Sequence, residues 1–282
     1  MDMDWPFRGA EVVDAGKLSA RQLRRHFVAV YPGVYAPRAV ELSAAQRARA
    51  ASLRSRRSGV LAGLSASTML GAKWIEGDSP AELVHTNRRP PPMILVQTAV
   101  LPDNETTAVD GMTVTTAART AFDLGRRLSV RQGVQRIDAL MNATRLTVHE
   151  VVAVVDRHPG VRGLNRLRRV LELVDGGAES PYESLTRLML VQAGLPPPQT
   201  QVRAVDEFGF TVAFLDMAWP EKRVAVEYDG AHHWTDPRQR RRDIERLAAL
   251  ESLGWIVIRI SSDMLRTPAA VVARVRAALA SR

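Results

Sequence analysis

The residues best suited to chemistry are Asp216 and two acids in the run Arg223-Val-Ala-Val-Glu-Tyr-Asp-Gly230. The run is rich in valine, which indicates a strand, and side chains alternate along a strand, so Glu227 and Asp229 project from one face. If the segment ending at Asp216 pairs back as a hairpin, Asp216 lies across from Glu227 with the Cβ atoms roughly 5 Å apart. Carboxylates at that range repel one another unless a cation or a proton intervenes.

A hard divalent ion such as Mg²⁺, or Mn²⁺ in its place, prefers the oxygen ligands that these three acids offer. A metal so placed activates water and stabilises in-line attack on phosphate. His232 and His233 follow three and four residues after Asp229, and histidine suits proton transfer near neutral pH. The residues therefore predict a hydrolytic metal centre, and a histidine packed for structural reasons is the alternative for His233.

Each acid also has a structural interpretation that the sequence leaves open. Asp216 could be a turn residue at a strand end. An acid on a half-buried strand is costly unless it is paired, and an ion pair with Arg223 or Arg259 is the alternative for Glu227. Asp229, directly before Gly230, could simply end the strand.

The elements that must position these acids follow one another from residue 178 onward. Ser180, Pro181 and Glu183 form a capping-box pattern, so a helix is predicted to about Ala193, and Glu183 is either a cap or a catalytic acid. The remaining predicted elements are listed in order: strands 199–205 and 210–216, the acid-bearing strand, a helix from Arg238 to about Leu253 with Ile244, Leu247, Ala248 and Leu250 on its apolar face, strand 255–260, and a last helix capped by Thr267-Pro268. The arginines that begin the second helix, Arg238, Arg241 and Arg242 among them, are either phosphate contacts or a solvated helix start.

The positive charge of the chain is concentrated at the amino end. The net charge is +9, yet residues 178–282 carry 14 Lys/Arg against 13 Asp/Glu, whereas residues 1–57 carry 11 against 5. A basic region attracts polyanions through Coulomb forces and counterion release. DNA is therefore the predicted partner of the amino end, and an ordinary arginine-rich surface is the alternative.

Two short helices, 9–16 and 19–27, precede a predicted hairpin at 28–35 around Pro32-Gly33. This order is the outline of a winged helix-turn-helix, in which Arg21, Arg24 and Arg25 face DNA. Helices are further predicted at 41–57, 65–71, 117–127, 130–143, 148–158 and 161–174, and strands at 81–87, 93–99 and 112–115. The break at 175–178 gives three predicted parts: a DNA-binding segment 1–40, a mixed α/β middle region 41–177, and a restriction-endonuclease-like α/β domain 178–282 with a mixed central sheet.

Two stretches resemble known families. Residues 9 to about 125 resemble the AbiEi-type antitoxins and transcriptional regulators of bacterial type IV toxin–antitoxin systems, through YPGVY, GVLAGLSASTMLG and MTVTTAARTAFDL. The resemblance implies DNA binding by residues 9–38, and a toxin is a possible partner.

Residues 178–282 resemble the PD-(D/E)XK nucleases, and among them the branch similar to very short patch repair (Vsr) endonucleases. The resemblance rests on four runs in order: SPYESLTRLMLVQAGLPPPQTQ, FLDMAW, VAVEYDGAHHW and RRDIERLAALESLGWIVIRI. It implies that Asp216 and Glu227 are metal ligands with Asp229 beside them, that Glu183 is the first-helix acid, and that His233, or His232, is the catalytic histidine. Asp229 stands where the commonest pattern of the superfamily has a lysine.

Composition excludes several classes. Absence of cysteine removes disulfides, thiolate nucleophiles and zinc–cysteine sites. The acidic start has no signal-peptide pattern and the apolar runs are too short to span a bilayer, so a cytoplasmic protein is predicted. The leading interpretation is a Mg²⁺-dependent DNA endonuclease with its own DNA-binding region. The alternatives are a non-catalytic DNA-binding antitoxin-like regulator with a degenerate nuclease domain, and an RNA nuclease.

Overall fold

The computed structural model describes residues 4–87, 89–230 and 237–282, and the chain divides into two compact units, Met1–Leu171 and Glu172–Arg282. Helices and strands are mixed in both units, which confirms the predicted fold class. Within the described residues, no helix is long and apolar enough to cross a membrane. The predicted division into 1–40, 41–177 and 178–282 as functional parts stays a prediction.

The amino-terminal unit begins with a small antiparallel sheet. Its elements are β1 (Phe7–Arg8), α1 (Gly9–Asp14), α2 (Ala20–His26), β2 (Phe27–Tyr31) and β3 (Val34–Pro37), and the strand order is β1-β3-β2. Ser19 caps α2 by accepting from the Gln22 N–H, and Gly33, with φ 81°, makes the turn of the β2–β3 hairpin. The predicted helix 19–27 ends at His26, and Phe27 begins β2 and packs against the apolar cluster that contains Leu23.

The rest of this unit holds a five-stranded sheet and a group of helices. The strands are β4 (Val60–Leu61), β5 (Ala81–Val84), β6 (Ile94–Gln97), β7 (Thr106–Val109) and β8 (Met112–Thr115), in the order β6-β5-β4-β8-β7. The helices are α3 (Ala44–Arg54), α4 (Gly63–Met69), α5 (Ala117–Arg127), α6 (Val130–Thr144), α7 (Val148–Arg157) and α8 (Leu164–Leu171). Helices α6, α7 and α8 all contact α5. Sequence reasoning missed the short strands β4 and β7.

The carboxyl-terminal unit is a four-stranded mixed sheet with helices packed against it. Its elements are α9 (Pro181–Gln192), β9 (Gln199–Val205), β10 (Thr211–Trp219), β11 (Val224–Tyr228), α10 (Pro237–Ser252), β12 (Ile256–Ile260) and α11 (Pro268–Ala280). The strand order is β12-β11-β10-β9, with β11 and β12 parallel and the other pairs antiparallel. One apolar cluster joins the sheet to α9 and α11, and a second joins it to Leu250 of α10. The described order of elements is the predicted one.

Three details of this unit correct the sequence interpretation. Glu183 does not close a capping box on Ser180: its carboxylate accepts from the Glu179 N–H, one residue earlier, at 2.8 Å. The Thr267 side chain makes no cap bond to α11. Of the residues predicted on the apolar face of α10, Leu250 is buried against the sheet and Leu247 is half-buried, whereas Ile244 and Ala248 are exposed.

Candidate active site

Asp216 and Glu227 lie on adjoining antiparallel strands. The register of β10 and β11 pairs Met217 with Val226, and continuing it by one residue places Asp216 opposite Glu227. One Asp216 carboxylate oxygen accepts the Tyr228 N–H at 2.8 Å, so the backbone of β11 fixes the side chain. This is the hairpin arrangement that the alternation of valines and acids predicts.

Glu227 is buried, with 7% of its surface exposed, and is held by Arg246 of α10. The two guanidinium nitrogens Nη1 and Nη2 donate to the carboxylate oxygens Oε1 and Oε2 at 2.6 and 2.9 Å. Such a fork is the strongest common form of arginine–carboxylate contact. An ion pair of Glu227 with Arg223 or Arg259 was the predicted alternative, but the bidentate partner is Arg246. Arg223 instead donates to the Leu253 carbonyl.

A second arginine joins the remaining acids. Arg259 lies beside Glu227 in the parallel register of β11 and β12, and donates to Asp229 Oδ2 and Asp243 Oδ2, each at 2.7 Å. Asp243 also accepts from Arg246 at 2.8 Å. Three acids and two arginines therefore alternate in a continuous chain, Glu227–Arg246–Asp243–Arg259–Asp229, and we call these five residues the charge chain.

The pKa of Asp216 and the pKa of Asp243 are shifted in opposite directions. Burial raises the pKa of Asp216 to about 7, with the Glu183 and Glu227 carboxylates adding to the rise. Burial and the neighbouring Glu179 also raise the pKa of Glu183. Burial by itself would raise the pKa of Asp243, but the Arg246 and Arg259 guanidinium groups outweigh it and hold that pKa low. Burial thus disfavours the charged forms of Asp216 and Glu183, whereas arginine contacts favour the charged form of Asp243.

The acids open into a pocket of about 400 Å³. Its lining residues are Phe214, Asp216, Glu227, Tyr228, Asp229, Arg240, Arg242, Asp243, Arg246 and Arg259. Phe214 is 60% exposed, and the Tyr228 ring stacks on Tyr182 with centroids 4.7 Å apart and planes at 4°. Four guanidinium groups beside carboxylates make a pocket suited to a phosphate ester, since arginine forks match phosphate geometry.

The donors at Asp216 and Glu227 fit a magnesium ion in number and type. Mg²⁺ retains several waters and is usually held by one or two carboxylates together with substrate oxygens. Among residues 4–87, 89–230 and 237–282, no three acidic or histidine side chains form a ready ligand set. Both Glu227 oxygens accept from Arg246. A two-carboxylate site at Asp216 and Glu227 therefore fits once Arg246 releases Glu227.

The structure brings together most of the predicted site residues of this unit. Asp216, Glu227 and Asp229 line one pocket. Glu183 is outside that lining, but its carboxylate is close enough to raise the pKa of Asp216. His232 and His233 lie outside the described residues. The catalytic and metal-binding roles of all these residues stay predictions.

Sequence reasoning missed Arg246, Asp243 and the pocket-facing role of Arg259. The signal was present in the spacing of Asp243 and Arg246, which lie three residues apart on a helix and therefore on one face. What the sequence could not give is the packing of α10 on the sheet, which directs that face toward β11.

The predicted nucleic-acid contacts are distributed differently. Arg242 lines the pocket, Arg241 forms an exposed ion pair with Glu245 at 3.0 Å, and Arg238 is exposed near the start of α10. Arg21, Arg24 and Arg25 are all exposed on α2 in the other unit. Their DNA contacts stay predictions.

Two regions of the chain match models of known protein families. Residues 79–173 match the model of the AbiEi antitoxin C-terminal domain, and residues 189–279 match REase_MTES_1575, a restriction-endonuclease family. The chain therefore has one region similar to the AbiEi antitoxin C-terminal domain and a second, restriction-endonuclease-like region. The AbiEi match starts later and ends later than the resemblance at residues 9 to about 125, and the second match includes Asp216 and Glu227 but begins after Glu183.

Two curated relatives are uncharacterized proteins of Mycobacterium tuberculosis, MT2308 of strain CDC 1551 / Oshkosh and Rv2248 of strain ATCC 25618 / H37Rv. Each is 33% identical over 168 residues, which is 59% of this chain and 62% of the relative. The chain thus spans less than two thirds of the length of these relatives. No solved structure matches the chain.

Proposed function

We propose that this protein is a divalent-metal-dependent DNA endonuclease whose amino-terminal unit also binds DNA. The observation that carries the proposal is that Asp216 and Glu227, on the adjoining strands β10 and β11, both line a pocket that also holds four arginines. The match of residues 189–279 to a restriction-endonuclease family supports it. A closer relation to the Vsr-like branch, and a cytoplasmic site of action on DNA, are parts of this proposal.

In the proposed reaction, acidic residues of the pocket bind the metal and basic residues bind the phosphate. Asp216 and Glu227 would hold Mg²⁺ or Mn²⁺, and the ion when bound supplies an activated water and a Lewis acid at phosphate. Arg240, Arg242 and Arg259 line the pocket and bind the phosphate oxygens. We assign proton transfer to His233, on its sequence position alone.

Cleavage is the direct test of this proposal. Purified protein with Mg²⁺ or Mn²⁺ is expected to nick or cut plasmid, single-stranded or branched DNA, with matched RNA as the comparison. Asp216→Asn removes a metal ligand, so we expect at least a ~100-fold loss of rate, the upper range that outer-shell partners of a metal already reach. EDTA should abolish cutting, and Arg274→Gln, an exposed change on α11, should cut like the wild type. If the wild type cuts none of these substrates, the catalytic proposal is wrong.

A second function is favoured by the charge chain and by the AbiEi match. Arg246 neutralises Glu227 and Arg259 neutralises Asp229 without any metal, and residues 79–173 match an antitoxin domain. A DNA-binding antitoxin-like regulator, with a toxin as possible partner and the nuclease fold as a scaffold, has these features. It predicts operator binding that is unaffected by EDTA.

DNA binding by α2 has its own expected result under either function. Replacing Arg21, Arg24 and Arg25 by Gln should reduce the slope of log affinity against log salt by up to about 3, because each lost phosphate contact removes about 0.9. The affinity is measured by fluorescence anisotropy of labelled duplex DNA between 50 and 300 mM salt. The matched control carries the same charge change at exposed Arg162, Arg168 and Arg169. Equal slopes for the two triple variants would show that α2 is no special DNA contact.

A further inference from the structure

Arg246 occupies the position where a metal ion must meet Glu227, and this conflict has a consequence for catalysis. We propose that Arg246 is a mobile positioning residue: it closes Glu227 in the metal-free protein, and a divalent cation displaces it toward the phosphate of the substrate. The proposal rests on the proposed nuclease function for the identity of the ligands. It assigns to Arg246 two alternating partners, a carboxylate and a phosphate.

Arg246 saturates the carboxylate of Glu227. Both of its carboxylate oxygens accept hydrogen bonds from Arg246, at 2.6 and 2.9 Å. A divalent ion on either oxygen would lie next to a guanidinium group, and like charges at that separation in a half-buried site repel strongly. Arg246 and the metal ion therefore compete for Glu227.

A second carboxylate, that of Asp243, keeps Arg246 in the site when it is displaced from Glu227. Nη2 of Arg246 donates also to Asp243, three residues earlier on α10, at 2.8 Å. Asp243 is held in turn by Arg259 at 2.7 Å. A guanidinium group that leaves Glu227 thus retains one carboxylate partner, which limits its movement to the neighbourhood of the pocket.

The displaced guanidinium group of Arg246 remains in the pocket. The Arg246 side chain is 28% exposed and faces a pocket that Arg240, Arg242 and Arg259 also line. Because three other arginines line the pocket, Arg246 needs an anionic partner once it leaves Glu227. A phosphate ester can accept two hydrogen bonds from the guanidinium group, as Glu227 does. The displaced guanidinium group and the metal ion would then hold the phosphate from two sides.

An unsatisfied acceptor in the same site supports a second, metal-bound arrangement. Oδ1 of Asp229 is buried and has no hydrogen-bond partner within the described part of the chain, although Oδ2 accepts from Arg259. Buried carboxylate oxygens are normally paired. Water carried on a divalent ion at Asp216 and Glu227 is a donor of the required kind.

Metal affinity without nucleic acid tests the competition. Mn²⁺ binding is measured by electron paramagnetic resonance at pH 8, a value above the raised pKa of Asp216, for wild type, Arg246→Gln, Arg246→Lys and the exposed control Arg274→Gln. Removing the competitor should tighten Mn²⁺ binding by Arg246→Gln at least ~10-fold, and Arg246→Lys, which keeps the charge but loses the fork, should fall between. Unchanged or weaker binding by folded Arg246→Gln overturns the proposal.

The wild-type protein provides a second test, in which a variant serves only to assign one signal. In ¹H–¹⁵N spectra of the arginine side chains, the Arg246 Nε signal, assigned by its loss in Arg246→Lys, should shift along the same Mg²⁺ titration curve as the β11 backbone amides. An Arg246 signal that stays fixed while the β11 amides report bound metal overturns the proposal.

The second partner is tested with DNA under conditions that prevent cleavage. With Ca²⁺ in place of Mg²⁺, Arg246→Gln should bind duplex DNA about tenfold more weakly than wild type, and in EDTA the loss should be clearly smaller, because Arg246 of the wild type is then engaged by Glu227. An equal loss in Ca²⁺ and in EDTA overturns the two-partner role. None of these measurements uses cleavage, so an inactive protein that shows them would refute the proposed function and leave the competition intact.

Discussion

Asp216→Asn is expected to raise the free energy of unfolding of the metal-free carboxyl-terminal unit by about 1–3 kcal/mol at pH 8. The cause is the raised pKa of Asp216, about 7 against an ordinary 3.8, which burial produces first and the Glu183 and Glu227 carboxylates increase. A shift of three units corresponds to about 4 kcal/mol between the two protonation states, and solvent access to the pocket reduces this. The same substitution is the one expected to remove cleavage.

The pH dependence of this effect has a definite sign. The folded state binds the Asp216 proton more tightly than the unfolded chain does, so between about pH 4 and pH 7 the folded state holds more protons and its stability falls as the pH rises. The contribution is fully present below the unfolded pKa and is lost as the pH passes through about 7. The gain from Asp216→Asn should therefore be small at pH 4 and reach its full size above pH 7.

Hydrogen exchange of the β10 and β11 amides measures this stability within the unit concerned. Asp263→Asn, an exposed acid next to Arg266, is the matched control and should change protection little. Saturating Mg²⁺ should reduce the advantage of Asp216→Asn, since the ion stabilises only the protein that retains its ligand. A variant less stable than wild type at pH 8 would show that Asp216 is not under electrostatic strain.

The carboxyl-terminal fold was largely predictable because its signals are local. Ser180 and Pro181 mark the start of α9, and Gly194 and Gly254 follow the ends of α9 and α10 with positive φ. Alternation along β11, together with the assumption that the preceding strand pairs back as a hairpin, predicts Glu227 beside Asp216. The charge chain was beyond sequence reasoning, because Arg246 and Arg259 reach their acids through the packing of α10 and the parallel pairing of β12.

In the amino-terminal unit too, elements that depend on neighbouring residues were predictable, and those that depend on residues distant in sequence were not. The predicted bounds of helix α5, 117–127, are the observed ones, since helix ends depend on neighbouring residues such as Thr116, which caps this helix. Strand β4 has two residues and pairs with β5 and β8, which are distant in sequence, so no periodicity could reveal it. The partners of Glu105 and Arg119 were likewise invisible in the sequence.

Arg119→Met is expected to destabilise the amino-terminal unit by about 3–5 kcal/mol, the range found when one member of a buried ion pair is removed. Glu105 has no exposed surface and accepts from Arg119 at 2.6 Å and from His158 at 2.8 Å. Arg119 also donates to buried Asp123 at 3.0 Å. The substitution leaves two buried carboxylates with fewer donors, which is costlier than losing an exposed pair.

A coupled variant separates this charge effect from lost packing. Burial by itself would raise the pKa of Glu105, but Arg119 and His158 outweigh it and hold the pKa low, so the stability from this acid is present above its ordinary pKa and is lost as the pH falls through the lowered value. Glu105→Gln combined with Arg119→Met removes both charges and should cost clearly less than the sum of the single changes. Exchange of the α5 amides gives the free energies, and Arg131→Met, an exposed change on α6, is the matched control. A loss below about 1 kcal/mol for Arg119→Met, or strict additivity in the pair, would mean that the buried ion pair contributes little to this domain.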